Sequence, residues 1–208
     1  MRIALELKGL RYEYLPVNLV RGEHKRQPFA ALVADALVPV LEVDGHHLSQ
    51  SMAIIEYLDQ TRPTPPLLPA EALGRAQVRA LAQLIACEIH PLNNLRVLKY
   101  LARNLQLGDA ARNDWYRHWV REGLLSFERQ LQINAEYRER AGIAQSLYCY
   151  GETPTLADCC LVPQIFNGRR YEVNFEGLTR TLAAFEACMQ LDAFERAQPL
   201  NCPDYEDQ

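Results

Sequence analysis

Four short constellations hold residue types that could do chemistry. The run His90-Pro91-Leu92-Asn93-Asn94-Leu95-Arg96 gathers an imidazole, two carboxamides and a guanidinium around a proline in a helical region. Proline removes a helix donor, and polar side chains beside it are costly unless they meet solvent, a cleft or an interface. That run is therefore either a solvated helix face or the wall of a cleft. Gln50-Ser51 stands ahead of a helical pattern. A hydroxyl and an amide at an unpaired helix N-terminus make a carboxylate site, and the same residues are also ordinary N-caps. Val38-Pro39 opens a strand, where proline removes a ladder donor and is a candidate for a cis bond. Thr155-Leu156-Ala157-Asp158 reads as a capping box with Asp in place of Glu, a structural device.

The elements that must position these groups fall into two halves. Ile3, Ala4 and Leu7 sit at helical spacing ahead of Gly9, a good C-cap, so the chain opens inside a helix. Tyr12 to Val17 alternates and predicts a strand. Arg21 to Leu32 predicts a polar connection with a short helix. Leu37 to Val43 predicts a second strand, Asp44-Gly45 a hairpin turn, and His46 to Leu48 a third strand. Ser49, Gln50 and Ser51 offer capping for a helix through Ala53, Ile54, Tyr57 and Leu58. Residues 61–70, TRPTPPLLPA, hold four prolines and predict a stiff boundary. Everything beyond is helical in pattern. Ala72 to Leu105 predicts one or two helices interrupted at Pro91. Ala110 to Leu131 predicts a helix with Trp115, Trp119, Leu124, Phe127 and Leu131 on one face. Thr155 to Phe166 and Leu178 to Cys188 predict two more.

Composition excludes several classes. The 208 residues carry 22 Lys+Arg against 26 Asp+Glu, a net charge of −4, which disfavours nonspecific nucleic-acid binding. At 49% hydrophobic and 23% charged, the chain is ordinary globular material. No apolar run reaches the roughly 18 residues needed for a bilayer span. Charges at positions 2, 6, 8 and 11 break any secretory apolar core at the start of the sequence. Membrane and secreted classes are therefore disfavoured and a cytoplasmic protein is expected. The six cysteines form no CxxC pair, so neither a zinc pattern nor a disulfide framework is present, and buried free thiols are expected.

Taken together, ALVPVLEVDGHHLSQSMAIIEYLD, RPTPPLLP, IHPLNNLRVLKYL and PTLADCCLVPQIFNGRRY, in this order and spacing, resemble the zeta-class glutathione transferases. That class includes maleylacetoacetate isomerase and bacterial maleylpyruvate isomerases. The resemblance implies a glutathione transferase fold. An α/β thioredoxin-like glutathione-binding domain over 1–62 would be followed by a proline-rich linker over 63–70. An all-helical domain over 71–208 would supply the substrate site and the dimer contacts. It implies glutathione as cofactor, a small dicarboxylate substrate and a homodimer. Carried over by residue, Val38 would offer backbone hydrogen bonds to the cysteinyl part of glutathione, with Pro39 the cis-proline. Gln50 and Ser51 would hold the γ-glutamyl end. His90 and Asn94 match positions lining the glutathione cleft. Arg96 and Arg170, with Arg169 the alternate, resemble arginines that hold substrate carboxylates, a task suited to a planar guanidinium fork.

Isomerisation of a cis enediketone acid needs a soft nucleophile that adds reversibly, and the glutathione thiolate is the one the resemblance implies. The sequence is compatible with maleylacetoacetate and with maleylpyruvate. The same fold also serves conjugation or dehalogenation of small α-halo acids, and noncatalytic binding. Two departures from the family pattern stand out. Val33-Ala34-Asp35-Ala36 replaces an Asn-Pro-Gln type segment, so a glutathione-contacting side chain is expected to be lost. The sequence also begins at Arg-Ile-Ala-Leu, where relatives first have a strand and a Ser-Ser-Cys type segment. No catalytic serine is therefore assigned. The expectation is a start roughly 12–16 residues upstream, one strand and turn. Either a gap between the strands at Tyr12–Val17 and Val38–Val43 or a rearranged sheet is expected with it.

Overall fold

The computed structural model describes residues 1–205. Two compact units divide the chain: Met1–Leu67 with the segment from Leu191 onward, and Leu68–Gln190. Their boundary falls inside the proline-rich stretch. One difference from the expected division at 70 concerns the C-terminal helix α9 (Asp192–Arg196), which packs on α1 (Arg2–Leu7) in the first unit. Arg196 Nε donates to Glu6 Oε2 at 2.8 Å, and the Arg2 guanidinium donates to the Ala197 carbonyl.

In the first unit, strands β1 (Val40–Val43) and β2 (His46–Ser49) pair antiparallel, with Val40 opposite Ser49 and Val43 opposite His46. Asp44 and Gly45 take φ of 49° and 76°, the conformation a two-residue hairpin turn requires. β1 starts three residues later than the pattern predicts, because Pro39 has no N–H for the ladder. The strand expected over Tyr12–Val17 does not form, and the sheet has two strands. Pro16 lacks a donor in the middle of that run, and an extended segment becomes a strand only by pairing. The stretch expected as a short helix between Arg21 and Leu32 forms two single 3₁₀ turns, Glu23–Lys25 and Phe29–Ala31.

Helix α2 (Ser51–Thr61) buries Ile54, Ile55 and Leu58, and Ile54 and Leu58 pack with Leu5 of α1. Leu41 and Leu48 of the hairpin cover this small core. Beneath it lies a buried ion pair. The Lys8 side chain is fully buried, and its Nζ donates to Asp59 Oδ1 (2.8 Å) and to the carbonyls of Arg62 (2.7 Å) and Pro65 (2.8 Å). Asp59 Oδ1 also accepts the Leu67 N–H at 2.7 Å. All three ammonium donors are thereby used, and the proline-rich stretch is tied to α2.

The second unit is helical among its described residues. α3 (Ala72–Gln83) runs into a π-helical stretch (Leu84–Ile89) and then α4 (His90–Asn93), α5 (Leu95–Arg103), α6 (Asp109–Arg140), α7 (Leu156–Arg170) and α8 (Thr179–Met189). Pro91 is not where the helix breaks, contrary to the pattern. The wider π turns lead into α4, and the chain breaks at Asn94, whose ψ of 145° is extended. Gly123 of α6 faces Ile89, and a Cβ there would overlap the Ile89 side chain, so a bare Cα permits this close approach. The buried face of α6 is Tyr116, Val120, Leu124, Phe127 and Leu131, with Trp115 and Trp119 only half-buried beside it. That corrects the tryptophan face the spacing predicts: the two indoles sit one residue off the apolar stripe. The Thr155–Asp158 capping box forms as expected. Asp158 is fully buried and accepts the N–H groups of Thr155 (2.8 Å) and Cys149 (2.9 Å). Cys149, Cys159 and Cys188 are buried, whereas Cys87 is exposed on the π stretch.

Candidate functional site

The hairpin register places both N-terminal constellations at one end. Val38 and Pro39 lie just before Val40, and Gln50 and Ser51 lie just after its partner Ser49. The Val38-Pro39 bond is cis. Val38 is exposed, and its peptide groups lie outside the ladder. Gln50 takes φ 67° and ψ 110°, a strained conformation for a residue with a side chain. Strain of this kind costs about 1–3 kcal/mol and concentrates at binding sites. The Gln50 side chain does not cap α2, so the start of that helix at Ser51 turns its positive dipole end toward an anion. The capping expected from Ser49, Gln50 and Ser51 is thus not used. Gln50 instead donates its Nε2 to Asp35 Oδ2 at 2.9 Å, while Asp35 Oδ1 accepts the Leu37 N–H. Asp35 therefore anchors the strained residue from the very segment that departs from the family pattern. No pattern in the sequence pairs it with Gln50.

The helical unit collects the other candidates. The Asn94 Oδ1 caps α5 by accepting the Arg96 N–H at 3.1 Å. Asn94 Nδ2 stands 3.4 Å from His90 Nε2. His90 is exposed on one side, yet packing lowers its pKa below the usual histidine value, with the Arg96 charge adding to the effect. Asn93 is buried, and its amide nitrogen finds no partner. An orphaned donor in this position is the condition under which a bound polar group or water is expected. Trp115 of α6 donates its indole N–H to the Leu92 carbonyl at 2.8 Å, joining α4 to α6.

Arg169 and Arg170 end α7 and differ in employment. Arg169 pairs with Glu186 (2.9 Å) and lies over the Phe185 ring at 4.4 Å. Arg170 makes no ion pair among the described residues, and its charge acts on Tyr116. Tyr116 stacks on Tyr171 with ring centroids 3.8 Å apart, and burial pushes its phenol up to about 12. Arg96 likewise makes no ion pair among the described residues. The two uncommitted guanidinium groups thus act on different neighbours, Arg96 on His90 and Arg170 on Tyr116. No group of three or more metal-binding side chains occurs among the described residues, and no described helix is long and apolar enough to cross a membrane.

Comparisons with known proteins identify the family. Residues 1–60 match the family model for the glutathione S-transferase N-terminal domain. The chain is similar to maleylpyruvate isomerase of a Ralstonia species, 45% identical over 98% of this chain and 92% of that protein. Its fold is similar to a holo structure of maleylpyruvate isomerase described as a bacterial zeta-class glutathione S-transferase. The TM-score is 0.92 at 44% identity, over 99% of this chain and 93% of the other. A maleylacetoacetate isomerase structure from Methylobacterium extorquens AM1, with malonate and glutathione bound, gives 0.89 at 34% identity over 99% and 93%.

Proposed function

The chain belongs to the zeta class of glutathione transferases, and from that premise we propose that it is a glutathione-dependent cis–trans isomerase. Its substrate is maleylpyruvate or maleylacetoacetate, and its place is in the breakdown of aromatic compounds. The observation that carries the reading is the pair of uncommitted guanidinium groups, Arg96 and Arg170, in a chain so similar to these isomerases. The relatives favour isomerisation over conjugation of α-halo acids and over a noncatalytic role. Turnover of either acid with and without glutathione is the test.

The residues suit glutathione. A tripeptide with a γ-glutamyl carboxylate asks for backbone partners at its middle and an anion site at one end. Val38, beside cis Pro39, supplies free peptide groups, and the open N-terminus of α2 at Ser51 supplies the anion site, with Gln50 held beside it by Asp35. In the helical unit, His90 and Asn94 are the residues proposed to bind glutathione. When bound, glutathione supplies a thiolate that adds reversibly to the substrate double bond. Arg96 and Arg170 hold the two carboxylates, which keeps the adduct bound while rotation about its new single bond swings one end past the other, before the thiolate leaves again. Arg169, tied to Glu186, plays the lesser part. No side chain is assigned to thiol activation.

A cytoplasmic homodimer is part of the same proposal, with the thioredoxin-like part over 1–62 binding glutathione and the helical part serving substrate and dimer contacts. Light scattering at micromolar concentration is expected to give twice the chain mass of 23.8 kDa. A monomer mass would refute the dimer.

A further inference from the structure

The break at Asn94 leaves the Leu92 carbonyl without its helical partner. In a continuous helix that carbonyl would accept the Arg96 N–H four residues on. Here the Arg96 N–H donates to the Asn94 side chain instead, and the Trp115 indole from α6 takes its place at Leu92. Trp115 is half-buried, with its ring edge-on to Trp119 at 5.7 Å, so the direction of its N–H is set by packing. One hydrogen bond thus ties the α4–α5 corner to the long helix. The same corner favours one tautomer of His90. Because Asn94 Oδ1 is committed to the Arg96 N–H, the group facing His90 Nε2 is the amide nitrogen, a donor. This arrangement suits an accepting Nε2, that is, a neutral imidazole with its proton on Nδ1.

We propose that Trp115 is a positioning residue: its bond to Leu92 holds the corner in the geometry that aims Arg96 at a substrate carboxylate and keeps His90 as the Nδ1–H tautomer. The part concerning Arg96 rests on the isomerase reading; the part concerning His90 does not. Trp115→Phe keeps a ring in place and deletes only the N–H donor. It is expected to raise KM for the dicarboxylate about tenfold, the effect of one hydrogen bond to an otherwise unpaired carbonyl, with kcat changed less than about threefold. Nitrogen-15 NMR, with His90 assigned through a His90→Gln variant, is expected to show Nε2 as a pure acceptor in the wild type and mixed tautomers in W115F. Unchanged KM together with an unchanged His90 signal overturns the proposal, even if W115F is less stable. Should W115F fail to fold, the wild-type indole proton decides: slow exchange of the Trp115 Nε1–H supports the bond, and fast exchange overturns it. A wild-type chain that turns over neither acid contradicts the isomerase reading, and the NMR arm still judges Trp115.

Discussion

Methionine at Arg96 or at Arg170 is expected to lower kcat/KM for the dicarboxylate by roughly 30- to 1000-fold. Each substitution removes a charge-assisted, bidentate partner of a carboxylate, an interaction whose loss costs about 2–4 kcal/mol. Methionine keeps the length and apolar stem of the side chain, so packing changes little. The structure also ranks the neighbouring arginine. Arg169 already pairs with Glu186 and covers Phe185, so Arg169→Met should lower stability slightly and leave kcat/KM within a few-fold. Steady-state kinetics on the three variants decide the matter. Wild-type kinetics in both R96M and R170M, or a larger loss in the Arg169 variant, would contradict the assignment.

The second large effect concerns stability. Asp59→Leu is expected to destabilise the first unit by about 3–5 kcal/mol, because the Lys8 ammonium would stay buried without its counter-charge. A domain has only about 5–15 kcal/mol in all, so the loss should appear as a large fall in the urea midpoint. Leu67 would lose the acceptor for its N–H in the same substitution. Replacing both partners, Lys8→Met with Asp59→Leu, should recover part of the loss, since no lone charge is left inside. A single variant within about 1 kcal/mol of wild type would show that the pair is solvated in practice.

Much of the architecture is legible in the sequence because its signals are local. Asp44-Gly45 between two short strand patterns gives the β1–β2 hairpin, and both residues adopt the positive φ the turn demands. Thr155 and Asp158 give the start of α7. The prolines between 61 and 70 mark where the two units part. Local signals mislead where pairing decides. Tyr12 to Val17 alternates like a strand, but alternation cannot supply a neighbour, and Pro16 weakens its claim to one. Long-range contacts are the other blind spot. The grouping of α9 with α1 rests on contacts between the two ends of the sequence, such as Arg196 with Glu6 and Arg2 with the Ala197 carbonyl. Among the candidate residues of the two units, the types of Gln50, Ser51, His90, Asn94 and Arg96 are visible at once. Their supports, Asp35 and Trp115, come from other elements and carry no spacing signal. The choice between Arg169 and Arg170 also depends on Glu186, one helix away.

The most direct test of the account is a product assay followed by proton NMR. Purified protein would be given maleylpyruvate or maleylacetoacetate at neutral pH, with and without glutathione. Conversion of at least one acid to its trans isomer is expected, dependent on glutathione and with glutathione regenerated unchanged. Equal rates with and without glutathione, or no conversion of either acid above the uncatalysed rate, would contradict it.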